Sequence, residues 1–270
     1  AGMLRRALVY AKVTGLPIIE HPEDDTLSGS GVAHAGTHAA ILGFSGIPPS
    51  SEDVIVARDA ILARETGGRL HLTHISTALS CEFIAWAKAA GAAVTADVTP
   101  HHLVLDDSGI ESFHSSFKMK PPLRSKDHVA AVRKALVDGV IDCIATDHAP
   151  HRDEEKNVEF EYAAFGVTGL ETAFAVLNTE LVECGVLSLP RLIEVMTAKP
   201  AAVLGLPAGT LSVGAAADIV LINPGCQWYV DTDALVSAGR NTPFEGWKVK
   251  GAIVSVLVDG DFKKRDGCLL

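Results

Sequence analysis

Val140-Ile141-Asp142-Cys143-Ile144-Ala145-Thr146-Asp147-His148-Ala149-Pro150-His151 is the stretch that decides the fold. Its first six residues form a β-type run, Asp147 stands at the C-terminal end, and two histidines and a proline follow. In an α/β barrel, side chains at the C-terminal ends of the strands build the active site. An aspartate there is suited to ligate a hard or borderline cation, or to move a proton for metal-bound water. The same letters also describe a helix N-cap aspartate followed by solvated loop histidines. The neighbouring segments discriminate between the two.

On both sides the pattern repeats. Residues 2–14 have Leu4, Ala7, Leu8 and Ala11 on one helical face. Residues 16–21 form a short apolar strand ending at His21, and 24–50 form a long Gly-, Ser- and Pro-rich loop with room for one helical turn. Loops of that length in compact domains are usually functional or mobile. A helix is predicted over 51–66, with Ser51 as N-cap and Gly67-Gly68 as its stop. Then come a strand over 69–75 near His74, a helix over 77–90 and a strand over 92–99 before Pro100-His101-His102. A helix over 125–137, the strand 140–147 and helices over 169–184 and 188–198 complete the series. Near-continuous apolar strands alternating with helices indicate a parallel sheet.

From about residue 204 the texture changes to short strands at 211–214, 218–222 and 253–260, with Asp259-Gly260 a hairpin signal. A closed (β/α)8 barrel needs eight strands, and four are legible. The expected architecture is α/β: residues 1–203 as the C-terminal half of such a TIM barrel, and 204–270 as part of a β domain. A small doubly wound sheet is the alternative.

The chain has 270 residues, 48% of them hydrophobic, enough for one large domain or one with a small companion. A net charge of −10 without a basic block argues against nucleic acid and anionic membranes as partners. No apolar run reaches transmembrane length, and the amphipathic opening is not a signal peptide. Five scattered cysteines without a CxxC fit a reducing cytoplasm rather than a disulfide framework or a thiolate zinc site.

His21, His74 and Asp147 each fall at a predicted strand end, where barrel strands converge. His71 and His74 lie on opposite faces of an alternating strand. His74, nearer the end, is the candidate ligand, and His71 is expected to be packed or hydrogen-bonded. Two imidazoles and a carboxylate are a common zinc set with a position open to water. His34 and His38, four apart in a glycine-rich loop without an adjacent Glu, are read as solvated. His101-His102 either touch substrate or anchor their loop. The cations of Lys118-Met119-Lys120-Pro121-Pro122-Leu123-Arg124 either face an anionic substrate or are solvated.

Seven segments together resemble one family. They are His21-Pro22-Glu23-Asp24, His71 to Thr77, Thr99-Pro100-His101-His102-Leu103, Pro121-Pro122-Leu123-Arg124, Ala145 to His151, Gly169-Leu170-Glu171-Thr172 and Asn241-Thr242-Pro243-Phe244. In this order, and over essentially the whole chain, they are similar to the class I dihydroorotases, cyclic amidohydrolases of the amidohydrolase superfamily. The resemblance implies a (β/α)8 metal hydrolase with a small β-sandwich domain and one or two zinc ions per full-length subunit. It implies a small-molecule substrate, and a homodimer or an aspartate transcarbamoylase as protein partner. It assigns His21, His74 and Asp147 to zinc, with Asp147 also the general base and acid. It gives the substrate carboxylate to His151 and the pyrimidine ring to the Phe165-Gly166 backbone. Lys120 stands where the family commonly has a substrate-contacting Asn. The family's remaining ligands, a His-x-His pair and a bridging acidic or carboxylated residue, would lie upstream, so an incomplete site is expected here.

Overall fold

The computed structural model describes residues 1–270. Four parallel strands, Ile18–Glu20, Leu70–Leu72, Val94–Val98 and Cys143–Ile144, lie side by side in chain order. Glu20 pairs with Leu72, Leu72 with Ala96, and Val98 with Ile144. Helices Ser50–Thr66, Ala78–Ala89 and Lys126–Val137 separate them. This is the serial strand–helix pattern expected from the sequence.

The apolar letters decide the burial. Leu70, Leu72, Val94, Ala96, Val98 and Ile144 are all buried. Each large aliphatic side chain so removed from water contributes roughly 1.5–3 kcal/mol. Helix Gly2–Ala11 buries Leu4, Leu8 and Ala11, the spacing of a single helical face. Gly68 allows this helix to come close, since a Cβ there would sit 2.7 Å from the Leu8 carbonyl oxygen.

Residues 24–50 are more ordered than their composition suggests. Helices Asp25–Ser28 and Thr37–Leu42 form, and the two-residue strands Ala33–His34 and Gly46–Ile47 pair in parallel. Such short elements carry no periodicity for a sequence reading to find. The predicted strand at 140–147 shortens to Cys143–Ile144, which leaves Asp147 on an irregular segment beyond it.

The chain forms two compact units, 1–169 with 236–243, and 170–235 with 244–270. The second holds helices Ala173–Leu177, Leu189–Met196 and Ala198–Leu204. It also holds an antiparallel sheet in the order Cys268–Leu269, Asp261–Arg265, Lys248–Val258, Ile219–Tyr229. The change of texture at 203/204 is therefore a passage from helices to strands within this unit. Asp259 and Gly260 both take positive φ, 52° and 85°, as a tight two-residue hairpin turn requires. Asp266-Gly267 repeats the device. Residues 211–214, expected as a strand, are exposed and join no ladder.

Candidate active site

The strand ends of the first unit bring the expected residues toward one another. His21 directly follows Ile18–Glu20, and His74 lies two residues beyond Leu72. Nδ1 of His21 is 2.8 Å from Nε2 of His74, with the rings nearly perpendicular at 74°. The other His74 nitrogen, Nδ1, is buried without a hydrogen-bond partner. Burial lowers His74 to a pKa of about 4. His21 adds to the fall, while Asp147 and Asp97 oppose it. The ring is thus neutral at pH 7, the form that binds metals.

His74 and Asp147 share a backbone feature, positive φ values of 43° and 47°. Non-glycine residues rarely adopt this region, and such outliers cluster at functional sites. At His74 the strained turn is held by Asp97, whose Oδ1 accepts the His74 backbone N–H at 2.7 Å. The other Asp97 oxygen lies 2.8 Å from His71 Nε2, and His71 Nδ1 lies 2.8 Å from the Thr95 hydroxyl. His71 is therefore the hydrogen-bonded histidine of the strand.

Two converging imidazoles with an orphaned buried nitrogen fit a zinc-type cation. Asp147 is near enough to influence the charge of His74. It does not join the two rings in a cluster of three donor groups, and no group of three or more His, Cys, Asp or Glu side chains converges in this chain.

The residues assigned to substrate also meet. His151 Nε2 donates to the Phe165 carbonyl at 2.9 Å. Gly166 packs against His151 so closely that a Cβ there would lie 2.9 Å from Nε2, and its φ of +132° suits glycine only. Lys120 Nζ stands 5.2 Å from the centre of the Phe165 ring, and Lys118 Nζ 4.5 Å. The Gly166 N–H donates to the Lys118 carbonyl, so this backbone is already engaged within the protein.

Glu23 joins the two halves. One carboxylate oxygen is 2.8 Å from His21 Nε2, and the other accepts from Lys120 Nζ at 2.8 Å. Burial alone would raise the Glu23 pKa, but the hydrogen bonds to Lys120 and His21 and the positive charge of Lys120 outweigh it and bring the value down to about 2. Lys120 is thus paired with a carboxylate beside a candidate ligand, neither fully solvated nor free.

Several sequence readings change. Arg124 is fully buried, donating to the Ile47 carbonyl at 2.9 Å and the Ser76 hydroxyl at 3.1 Å. It does not face a substrate. His34, expected in solvent, is buried 3.4 Å from Arg124 because the short strand Ala33–His34 carries it inward. His38 pairs with Glu111 at 2.6 Å. His102 anchors its loop through the Thr99 hydroxyl at 2.7 Å and the Pro121 carbonyl at 3.0 Å. Glu23, Asp97, Lys156 and Asn241 were missed as participants. Glu23 and Asn241 lie inside the quoted family segments, and that was their only signal.

The amidohydrolase family profile matches residues 33–263. The chain belongs to the amidohydrolase family. This amidohydrolase chain is 51% identical over 266 residues to a dihydroorotase of Pelotomaculum thermopropionicum, covering 98% of this chain and 62% of that protein. It is likewise 51% identical over 262 residues to a dihydroorotase of Anaeromyxobacter dehalogenans, covering 96% and 60%. Among solved structures it resembles the L-hydantoinase (dihydropyrimidinase) of Arthrobacter aurescens, with a TM-score of 0.90 and 29% identity over all of this chain and 61% of that one. The D-hydantoinase (dihydropyrimidinase) of a Thermus species gives 0.89 and 26%, again over all of this chain and 61% of that one. The chain thus spans about three fifths of the length of the relatives it matches. Its strand–helix series belongs to the TIM-barrel architecture of these enzymes.

Proposed function

We propose that the protein carrying this chain is a zinc-dependent cyclic amide hydrolase. It interconverts dihydroorotate and N-carbamoyl-L-aspartate in the de novo synthesis of pyrimidine nucleotides. The observation that carries this reading is the join at Glu23: a converging imidazole pair on one side, and on the other Lys120 over Phe165, which accepts from His151. A cation site beside a cationic wall suits a ring amide that bears a carboxylate. The relatives named dihydroorotase, at 51% identity, support this substrate over the hydantoinases at 26–29%.

In this reading His21, His74 and Asp147 hold the metal, one or two zinc ions per full-length subunit. Zinc bound there supplies Lewis acidity toward water and the ring carbonyl. Asp147 accepts the proton of the attacking water and passes it to the leaving amide nitrogen. His151 pairs with the substrate carboxylate, Phe165 and Gly166 seat the ring, and Lys120 adds positive charge. The protein is cytoplasmic and a homodimer.

The test is dihydroorotate hydrolysis with zinc, in the wild type and in Asp147→Asn. Loss of a general base of this kind lowers the rate about 10²- to 10⁴-fold. Full activity in the variant removes Asp147 from the mechanism. Faster turnover of hydantoin or allantoin than of dihydroorotate selects the dihydropyrimidinase or allantoinase reading; the structural resemblance to hydantoinases, at 26–29% identity, is consistent with the former but weaker than the 51% identity to dihydroorotases. Zinc-free protein that binds aspartate transcarbamoylase would instead indicate a non-catalytic partner role.

A further inference from the structure

The segment Ala164-Phe165-Gly166 belongs to no helix or strand, yet its three consecutive carbonyls each accept from a side chain. Ala164 accepts from Lys156 Nζ at 2.8 Å and Phe165 from His151 Nε2 at 2.9 Å. Gly166 accepts from Lys156 Nζ at 3.0 Å and Asn241 Nδ2 at 3.0 Å. The same ammonium reaches the Lys118 carbonyl at 3.3 Å, which also receives the Gly166 N–H at 3.0 Å. One buried cation therefore ties 164–166 to the turn that carries Lys118 and Lys120.

This is a costly way to fasten a loop. Lys156 is only 6% exposed. Burial lowers its pKa to about 8, and repulsion from Lys118 adds to the effect. Taking this charge out of water near a second ammonium opposes folding, and the carbonyl oxygens offset that cost. An apolar side chain would fill the same space without that cost. It would not hold three carbonyls in one orientation.

Asn241 supports the same wall from the other side. Its Nδ2 also donates to the Ala149 carbonyl at 2.9 Å, and its Oδ1 accepts the His151 N–H at 3.0 Å. Asn241 therefore fixes the His151 backbone, and Lys156 fixes the surface that the His151 ring touches.

We propose that Lys156 is a positioning residue of the substrate site: its ammonium orients the Ala164, Gly166 and Lys118 carbonyls and so sets the wall of Phe165, Gly166 and His151 that receives the ring substrate. The substrate half of this inference rests on the cyclic amide hydrolase reading. The clamp itself does not.

Lys156→Met separates the two. In substrate-free protein, the Gly166 amide is expected to exchange its hydrogen at least about tenfold faster, with helices Ser50–Thr66 and Lys126–Val137 unchanged. With dihydroorotate, KM is expected to rise about tenfold or more while kcat stays within about threefold. A purely structural lesion lowers the active fraction, and so kcat, without moving KM. Unchanged Gly166 exchange in folded Lys156→Met overturns the clamp. Faster exchange with an unchanged KM overturns its role toward substrate. A wild type inactive on dihydroorotate overturns the functional reading, and Gly166 exchange still decides the clamp. If Lys156→Met does not fold, Lys156→Arg keeps the charge but not the compact three-donor head. It is read the same way, with raised KM supporting the inference and wild-type KM overturning it.

Discussion

His21 and His74, 53 residues apart in sequence, meet with His21 Nδ1 2.8 Å from His74 Nε2. Two strand ends, adjacent in the sheet through the pairing of Glu20 with Leu72, create this contact. His21→Ala and His74→Ala are each expected to strip zinc from the protein on dialysis against a weak chelator. Activity should fall by more than about 100-fold, beyond the range typical of outer-shell partners. Elemental analysis and rate measurement check both. Wild-type zinc content in both variants would take the pair out of metal binding.

Glu23 is the outer partner of that pair. Its carboxylate orients His21 through Nε2 and leaves Nδ1 turned toward His74. Glu23→Gln keeps the shape but removes the charge that holds both His21 and Lys120. Zinc affinity is expected to fall about 10- to 100-fold, as for other residues that orient a ligand imidazole. Competition with a chromophoric chelator measures it. An unchanged affinity would confine the part-buried Glu23–Lys120 pair to holding its loop.

The strand–helix series was legible because the buried strand positions carry aliphatic residues, as at Leu70, Leu72, Val94, Ala96 and Val98. The strand-end position of His21 and His74 followed directly. Arg124, His34 and Lys156 were not legible. Each is a polar side chain buried by partners distant in sequence: Ser76 and Ile47 for Arg124, Arg124 for His34, and the Lys118 and Gly166 carbonyls for Lys156. Local pattern reports how often a residue type is buried, and it counts such residues as solvated. Nor does it report left-handed backbone at His74 and Asp147, which depends on what the turn must reach.

Arg124 anchors the turn after His74 from below. It lies with Glu52, which accepts from the backbone N–H groups of Ser76 and Thr77, each at 3.1 Å, and from the hydroxyls of both residues. Removing one partner of a buried charge network strands the other. Arg124→Met is therefore expected to destabilise the protein by about 3 kcal/mol or more, read as a lowered urea midpoint. A midpoint within error of wild type would mean that Glu52 is satisfied by its hydroxyl and amide donors without the arginine.

At Gly166 a methyl group has no room. A Cβ would lie 2.7 Å from the Ala149 side chain and 2.9 Å from His151 Nε2, on a backbone at φ +132°. Gly166→Ala is expected to displace the His151 ring and raise KM for dihydroorotate about tenfold or more. Zinc content should stay at the wild-type level, because His21 and His74 are untouched. Loss of zinc together with substrate affinity would show that the two halves of the site cannot be perturbed separately.

Acid should weaken the fold through its buried histidines. Burial next to Arg124 lowers His34 to a pKa of about 4, and burial takes His102 to about 3. In the unfolded chain a histidine titrates near its ordinary value of about 6.5. Between pH 6.5 and 4 the unfolded chain therefore binds more protons than the folded one, and stability falls as pH falls. Above 6.5 the contribution is complete. Below the folded-state values both states are protonated and the dependence flattens. His34→Gln removes one titrating ring, so its unfolding free energy should decline less steeply than wild type between pH 6.5 and 4, whatever its stability at pH 7. Urea unfolding at several pH values across that window gives both slopes. Parallel slopes would mean that His34 is protonated in the folded protein and that Arg124 tolerates the charge.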